Sequence, residues 1–526
     1  AYGPVSGFAD LHNHQFAEYA YQGAWYHGTT LGPEGGDDTW TGLAACDGNA
    51  PGGPRDHAMT YMNLLCGVAG LATEDMCEHV DRQYGYTADP PRRYSGWPHA
   101  GTWAHQQTWW GHLQDAHEDG LNLTVVHAVN FKPLCEIMEP ENYRYSYGCE
   151  DLGAVDLEIA AAKAFAAQHS DWVEIAYTAR DARRIIHEGK LAMVLAIEVT
   201  DLFTTGAMDD APMQIDAGGA ILDRGGVLTQ LRYSHGLGVR TIQLGHELDS
   251  RFAGVALYSP VFKLLDAIRD FKSRHPDELE HVRLPGDGSP TYGLRLDEEG
   301  YNALGLTDDG RRLVEEMMDL GMLIDVAHLS YRSTDDVYAM VKANDFYPMF
   351  HSHTKFSEIM VLPGEEALEK YTTDATASML RATGGLAGLR TFAAQVNPWP
   401  ASGVENSCDG STRSFVQAYA YADLELRIPL AFGVDFNGFA NQTEARFGDD
   451  ACRKAVDEAT QLEQQALQND YGTGSDFDKY GLGHMGLIGR GLVQDMKDLG
   501  ADTANLESSA EAFVRMWERA EGSRQG

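Results

Sequence analysis

Eight short apolar runs recur along the chain, and most of them are followed by a segment with helical periodicity. A run of this length bounded by turn residues is typical of a buried strand, and strands that alternate with helices favour a parallel sheet. The clearest helical segments are Val155–Ala167 and Thr307–Leu320. The eight predicted strands are Phe8–His14, Leu121–Asn130, Leu191–Thr200, Val239–His246, Leu323–Ser330, Tyr347–Thr354, Gly385–Phe392 and Ile428–Phe436.

Successive strand–helix units in this number predict a (β/α)8 barrel of the TIM type, and an open doubly wound sheet is the alternative. Barrels grow by insertion, so the 526 residues of the chain fit one barrel domain over residues 1–439 followed by an extension. Residues 440–526 are predicted to form a helical extension that packs on the barrel, with Ser508–Ala520 as its amphipathic helix.

A long insertion separates the first two predicted strands. Residues 15–120 are rich in Gly and Trp, and a connection of this length is normally functional or a small subdomain. We expect the insertion to roof the pocket, and a small hydrophobic core of its own is the alternative. Six of the nine tryptophans lie in it: Trp25, Trp40, Trp97, Trp103, Trp109 and Trp110.

The charge balance excludes some classes of partner. The chain has 40 Lys and Arg residues against 78 Asp and Glu residues, which gives a net charge of −38. A surface this acidic repels phosphate backbones and anionic lipids, so nucleic-acid binding is not expected. The sequence has no apolar run near the ~18 residues that a membrane span requires, so we expect no transmembrane span. The oligomeric state is left open, a homodimer included.

The number and placement of the cysteines indicate the cellular compartment in which the protein resides. None of the seven cysteines forms a CxxC pair, so a structural zinc site is not expected. Five precede residue 150, in loop-rich sequence, which predicts disulfides and export to an oxidising compartment; a cytosolic protein with free thiols is the alternative. The first residue is Ala1 rather than Met, which indicates a processed or trimmed start. The cysteines are Cys46, Cys66, Cys77, Cys135, Cys149, Cys408 and Cys452.

Metal-binding side chains stand at the ends of the predicted strands. His12 and His14 alternate along one strand, so both face the same side. Glu198 ends a wholly apolar run, where a buried carboxylate needs a cation or a strong partner. Because barrel active sites form at the C-terminal ends of strands, these groups predict a site for two divalent ions bridged by Glu198. Imidazole and carboxylate without thiolate favour zinc, with manganese, cobalt and iron as alternatives. The other strand-end groups are His328, His351, His353 and Asp435.

Four segments carry a specific resemblance to a known family. Gly305–Ser330 (GLTDDGRRLVEEMMDLGMLIDVAHLS) is the most distinctive, and the others are Leu231–His246, Pro348–His353 and Gly433–Gly438. They resemble segments of the renal (membrane) dipeptidase family, metallopeptidase family M19, within the amidohydrolase-like barrels. The likeness covers most of the chain after about residue 121. Residues 15–120 look like an insertion that the compact members lack.

The resemblance implies a role for each site residue. His351 is one residue out of register with the family's strand histidine, so it is expected to face away from the metals. The implied set is His12 and His14 on the first metal, Glu198 as the bridge, His328 and His353 on the second metal, His246 on the scissile carbonyl or tetrahedral intermediate, and Asp435 in proton transfer.

Two departures from the family pattern affect substrate and metal. The compact members carry HxD on the first strand where this chain has His12-Asn-His14, so an anionic ligand is replaced by a neutral one. The first metal is then expected to be more electrophilic or more loosely held. The arginine that grips the dipeptide carboxylate, about eleven residues after the strand histidine, is also missing. Arg390 and Arg251 are the candidate replacements.

The function implied is hydrolysis of an amide bond in a dipeptide or small N-acyl amino acid, by a hydroxide that bridges two metal ions. The first alternative is a hydrolase of the same scaffold that acts on a lactone, a phosphoester or a cyclic amide. The second is a non-catalytic metal-binding protein.

Overall fold

The computed structural model describes most of the predicted barrel. Of the predicted insertion, Trp109 and Trp110 are described, whereas the other four tryptophans lie outside the described residues, as do Cys46, Cys66 and Cys77. Within the described part of the chain, no helix has both the length and the apolar character needed to cross a membrane. The described residues are 2–23, 28–31, 98, 100–101, 106–137, 148–257, 295–361, 369–447, 452 and 472–522.

All eight predicted strands are present and form a closed ring of parallel neighbours. The ring runs β1-β2-β4-β7-β8-β9-β10-β11 and back to β1. It closes between β7 and β8, where Thr241 pairs with Leu323 and the Leu323 N–H donates to Arg240 O at 2.8 Å. The (β/α)8 barrel is therefore confirmed over the open sheet. The strands are β1 (Phe8–Asn13), β2 (Leu121–Asn130), β3 (Val173–Ile175), β4 (Leu191–Val199), β5 (Gln214–Ile215), β6 (Ile221–Asp223), β7 (Val239–Ile242), β8 (Ile324–Asp325), β9 (Met349–Thr354), β10 (Ala387–Arg390) and β11 (Leu430–Gly433).

Helices follow most of the ring strands. Val155–Ala167 lies within α3, and Thr307 is the N-cap of α6, where its side chain accepts a hydrogen bond from Gly310 N. The α-helices are α1 (Trp110–Glu118), α2 (Lys132–Ile137), α3 (Asp151–Gln168), α4 (Ala179–His187), α5 (Val227–Leu237), α6 (Asp308–Asp319), α7 (Tyr331–Ala343), α8 (Asp374–Ala382), α9 (Thr412–Ala420), α10 (Phe477–Tyr480), α11 (Gln494–Asp498), α12 (Ala504–Glu507) and α13 (Ser509–Gly522). Short 3-10 segments lie at Ala17–Tyr19, Tyr21–Gly23, Pro400–Ser402 and Met485–Leu487, and π-helical turns at Tyr421–Leu426 and Ile488–Val493.

Burial explains why β4 reads as a continuous apolar run. Parallel strands of a barrel are covered on both faces, by the interior and by the outer helices. All nine residues of β4 are buried, and Glu198 is its single charged residue. The strand therefore places one carboxylate at the C-terminal mouth of the barrel.

The C-terminal helix packs across the barrel wall. Trp517 and Phe513 of α13 are fully buried. Arg183 of α4 forms ion pairs with Glu511 at 2.7 Å and Glu518 at 2.8 Å. These contacts tie α13 to the barrel from its outer side, away from the strand ends that carry the site.

Candidate metal centre

The strand-end residues converge at the C-terminal mouth of the barrel. His12 lies on β1, Glu198 on β4 and His353 on β9, and the remaining three follow the ends of β1, β8 and β11. All are buried, with exposures of 0% for His12 and 1% for Glu198. The described residues form three overlapping groups whose ligand atoms lie within 4.8 Å of one another: His12, Glu198 and His353; His12, His14 and Asp435; and Glu198, His246 and His328.

One carboxylate oxygen of Glu198 faces the histidines of β1. Glu198 Oε2 lies 3.3 Å from His12 Nε2 and 3.1 Å from His14 Nε2. Asp435 Oδ1 lies 3.6 Å and 3.2 Å from the same two nitrogens. We call this set of four side chains the first side of the centre.

The other oxygen of Glu198 faces a separate pair of histidines. Glu198 Oε1 lies 3.2 Å from His328 Nε2 and 3.9 Å from His353 Nε2. The two Nε2 atoms are 3.0 Å apart. We call Glu198 Oε1 with these two imidazoles the second side.

The donor set fits divalent cations. Among the described residues, Glu198 Oε1 and His12 Nε2 are buried without a hydrogen-bond partner, and such groups are costly unless a cation satisfies them. Burial lowers the pKa of His12 to about 3, which leaves the imidazole neutral and its lone pair free to bind. Nitrogen and carboxylate donors of this kind suit zinc.

His14 lies where two neighbouring carboxylates favour a positive charge. Burial acts against a charge on this ring, yet its hydrogen bonds with Asp435 and Glu198 raise its pKa to about 10. A proton on His14 thus supplies, between two carboxylates, the charge that a metal ion would bring.

A family comparison covers part of the chain that forms this site. The model of the membrane dipeptidase family, peptidase family M19, matches residues 294–500, the segment that contains His328, His353 and Asp435. Over this segment the chain is similar to the membrane dipeptidase family.

The individual proteins to which this chain is similar share little sequence identity with it. Dipeptidase verJ of Clonostachys rogersoniana is 28% identical over 108 residues, which cover 20% of this chain and 25% of that protein. The match thus spans about a quarter of the length of the curated relative. An amidohydrolase from Pseudomonas aeruginosa matches 78% of this chain and 93% of its own, at 14% identity and a TM-score of 0.42. A metallo peptidase from Rhodobacter sphaeroides, liganded with a phosphinate mimic of the dipeptide L-Ala-D-Ala, matches 78% and 89%, at 17% identity and a TM-score of 0.42.

Asp435 is held by an arginine. Arg390 donates to Asp435 Oδ2 at 2.6 Å, so Oδ1 alone is turned toward the histidines. Burial acts to raise the pKa of Asp435, but the attraction of Arg390 and the hydrogen bond from His14 outweigh it, and the pKa lies below its usual range. A Cβ on Gly438 would lie 2.1 Å from Asp435 Oδ1, so only glycine fits there.

Two site residues have strained backbones. His328 has a φ of 62° and Asp435 a φ of 54°, a left-handed conformation that non-glycine residues rarely adopt. Strain of this kind clusters at functional sites, where the surrounding structure fixes side-chain direction.

His246 lies at the rim of the centre. Its Nε2 is 3.7 Å from Glu198 Oε2 and 3.3 Å from Glu247 Oε1, and its ring centre is 4.6 Å from that of His328. Burial lowers the pKa of His246 to about 4, so the ring is neutral. Because Nε2 faces carboxylate acceptors, it carries the proton.

The remaining candidates lie outside the ligand groups. His351 is absent from all three groups, and its ring is nearly perpendicular to that of His353, with centres 6.4 Å apart. Arg251 binds Asp309 Oδ2 at 2.6 Å and Gly206 O at 2.8 Å. The structure therefore pairs each of the two candidate arginines, Arg390 and Arg251, with a carboxylate of the chain itself.

Three contacts that sequence reasoning missed orient the ligands. Ser352 Oγ lies 3.3 Å from His12 Nδ1 and 3.0 Å from His353 Nδ1. His14 Nδ1 lies 3.1 Å from His127 O. Because each Nε2 points at the centre, each Nδ1 carries the proton and donates, which fixes the tautomer and the ring direction.

Proposed function

We propose that the chain is a metal-dependent hydrolase with a binuclear centre that cleaves an amide bond in a dipeptide or small N-acyl amino acid. The observation that supports this most is Glu198, whose two oxygens each face a separate pair of histidines at the mouth of the barrel. Two divalent ions bound there, zinc by the donor set, would polarise the carbonyl and lower the pKa of a water molecule toward about 7.

Asp435 is the proton-transfer group in this proposal. With Oδ2 held by Arg390, Oδ1 faces the centre, where it is positioned to accept a proton from the attacking water and to pass it to the leaving amine. Its lowered pKa keeps the carboxylate ionised at neutral pH. Arg390 acts through Asp435 as a positioning residue.

His246 is the oxyanion donor. The neutral ring has its Nε2 proton at the rim of the centre, 8% exposed, where a substrate carbonyl can reach it. A fixed donor placed where charge develops lowers the barrier more than one that must reorganise.

One observation favours a second candidate function, hydrolysis of a substrate that has no free carboxylate. Arg390 and Arg251 are each bound to a carboxylate of the chain, so neither is free to grip a substrate carboxylate. A substrate without one, such as a lactone, a phosphoester or a cyclic amide, fits that arrangement.

We further propose an extracytoplasmic location. Cys135 pairs with Cys149 and Cys408 with Cys452. Disulfides persist in oxidising compartments and are rare in the cytosol.

A substrate panel with defined metal content tests the function. Protein stripped with chelator and reloaded with zinc is assayed on L-L and L-D dipeptides, N-acyl amino acids, a lactone and a phosphoester. We expect amide hydrolysis that disappears with the chelator and returns with zinc. Hydrolysis of only the lactone or phosphoester would favour the second candidate, and no hydrolysis by the loaded protein would contradict both.

A further inference from the structure

Lys355 is a buried cation beside the metal centre. It directly follows β9 and lies two residues after His353, so strand alternation turns both side chains toward the same side. It is 2% exposed. In the described part of the chain, its Nζ has no carboxylate or hydrogen-bond partner; it lies 4.6 Å from the ring centre of Phe392. A buried ammonium without a counter-charge is unfavourable, and one aromatic ring offsets only part of the cost.

Arg390 is the cation next to Lys355, and its charge, unlike that of Lys355, is neutralised by a carboxylate. Leu389 pairs in register with Thr354, which sets Arg390 beside Lys355 on adjacent strands. The guanidinium of Arg390 lies 4.5 Å from the same Phe392 ring centre. Its charge, however, is matched by Asp435 at 2.6 Å. The unmatched charge at this edge of the barrel is therefore on Lys355.

A third cation, Lys370, interacts electrostatically with Arg390. The pKa of Lys370 is lowered to about 8, by burial first and by repulsion from Arg390 second. Glu247, Asp435 and Glu198 act on the pKa of Lys370 in the opposite direction. In a chain with a net charge of −38, the unmatched charge of Lys355 beside Arg390, at the ends of β9 and β10, makes this edge of the barrel attractive to an anion.

We propose that Lys355 binds the free carboxylate of the substrate and so selects dipeptides and N-acyl amino acids over neutral amides. This inference rests on the proposed function and deepens it. The substrate carboxylate would supply the counter-charge that the buried ammonium lacks. Arg390 then positions Asp435 and does not bind the substrate. The scissile amide and the free carboxylate of a short substrate would both lie at this edge of the barrel.

Paired ligands that differ only in this group test the assignment. A hydrolysable dipeptide and its C-terminal amide are compared on zinc-loaded wild type, Lys355→Met and Lys355→Arg. The methionine keeps the length and the contact with Phe392 but removes the charge. We expect Lys355→Met to raise KM for the acid about 10–100-fold, the value of a hydrogen bond to a charged group, and to leave kcat/KM for the amide within about threefold. Lys355→Arg should keep part of the preference for the acid.

Lys342→Met is the matched control. Lys342 is an exposed lysine on α7 that also lies over a ring, 6.0 Å from the centre of Tyr338. This variant should match wild type with both substrates. Equal effects of Lys355→Met on acid and amide, or an unchanged KM for the acid, would overturn the proposal.

A binding measurement keeps the subsite testable without turnover. Calorimetry on the zinc-loaded protein uses a phosphinate dipeptide mimic that carries either a carboxylate or a carboxamide. Wild type should bind the carboxylate form more tightly, and Lys355→Met should lose that difference. If wild type hydrolyses no dipeptide, the proposed function fails, while a carboxylate preference that depends on Lys355 still supports the subsite and its absence overturns it.

Discussion

The two sides of Glu198 are built differently. On the first side, His12 and His14 come from one strand and a second carboxylate, Asp435, stands 3.2 Å from His14 Nε2. On the second side, His328 and His353 come from adjacent strands and share only Glu198 Oε1 as a carboxylate oxygen within the described ligand groups. The first side therefore concentrates more negative charge than the second.

This difference between the two sides bears on how the His12-Asn-His14 motif supplies ligands to the first metal. Replacing the family's aspartate by His14 removes an anionic ligand from the first metal. The structure brings Asp435 Oδ1 next to both histidines, so an anionic oxygen is available again on that side. Whether Asp435 only transfers protons or also binds the ion is the point that variants can resolve.

The largest effect is expected from Glu198→Gln, which weakens both sides at once. We expect loss of both ions and of hydrolysis, and a lower melting temperature, because ions that bind only the folded state stabilise it by about 2.7 kcal/mol at a hundredfold excess over Kd. Elemental analysis and thermal melts check this. His351→Ala is the control and should keep its metal. Retention of both ions at the wild-type melting temperature would contradict the bridging role.

Asp435→Asn separates the two roles on the first side. As the proton-transfer group, Asp435 should contribute about 10²–10⁴-fold to kcat. We expect that loss while metal content and fold persist, because asparagine keeps the shape but accepts no proton. Loss of one ion per chain would instead make Asp435 a ligand, and a near-wild-type kcat would remove it from the chemistry.

His246→Ala probes the rim next to the second side. Removing one oxyanion donor should lower kcat by about 10²–10³-fold with both ions retained. Steady-state kinetics on the same amide substrate measure it. A raised KM with unchanged kcat would show that His246 binds the ground state only.

The smallest effect is expected from Ser352→Ala, which touches both sides. Because its hydroxyl accepts from His12 on one side and His353 on the other, the affinities of both ions should fall together, by about 10–100-fold. Competition with a metal-sensitive dye measures this. Ser357→Ala, whose hydroxyl bonds Glu358, is the matched control. Weakening of one ion alone would contradict the shared orientation.

Local sequence was enough to predict the barrel and the groups at its mouth. Each ring strand is an apolar run, and the rule that sites form at strand ends gathered His12, Glu198 and His328 although they are far apart in sequence. The strand β3 was missed because three residues carry too little periodicity. The hairpin of β5 and β6 was missed because it lies outside the ring and its residues are mostly exposed.

Contacts between strands were beyond sequence reasoning. Ser352 reaches His12 across 340 positions of the chain, and no local motif marks such a pair. The sequence marks Arg390 as a candidate to bind the substrate carboxylate, and only the register between β10 and β11 shows that it lies beside Asp435. A single lysine after a strand is ordinary in a sequence, and only its burial distinguishes Lys355.

Anomalous diffraction at the zinc edge, from crystals grown with zinc supplied, tests the central claim most directly. We predict two peaks per chain, one between Glu198 Oε2 and the pair His12 and His14, the other between Glu198 Oε1 and the pair His328 and His353. A map with no anomalous peak between Glu198 and His328 would contradict the binuclear centre.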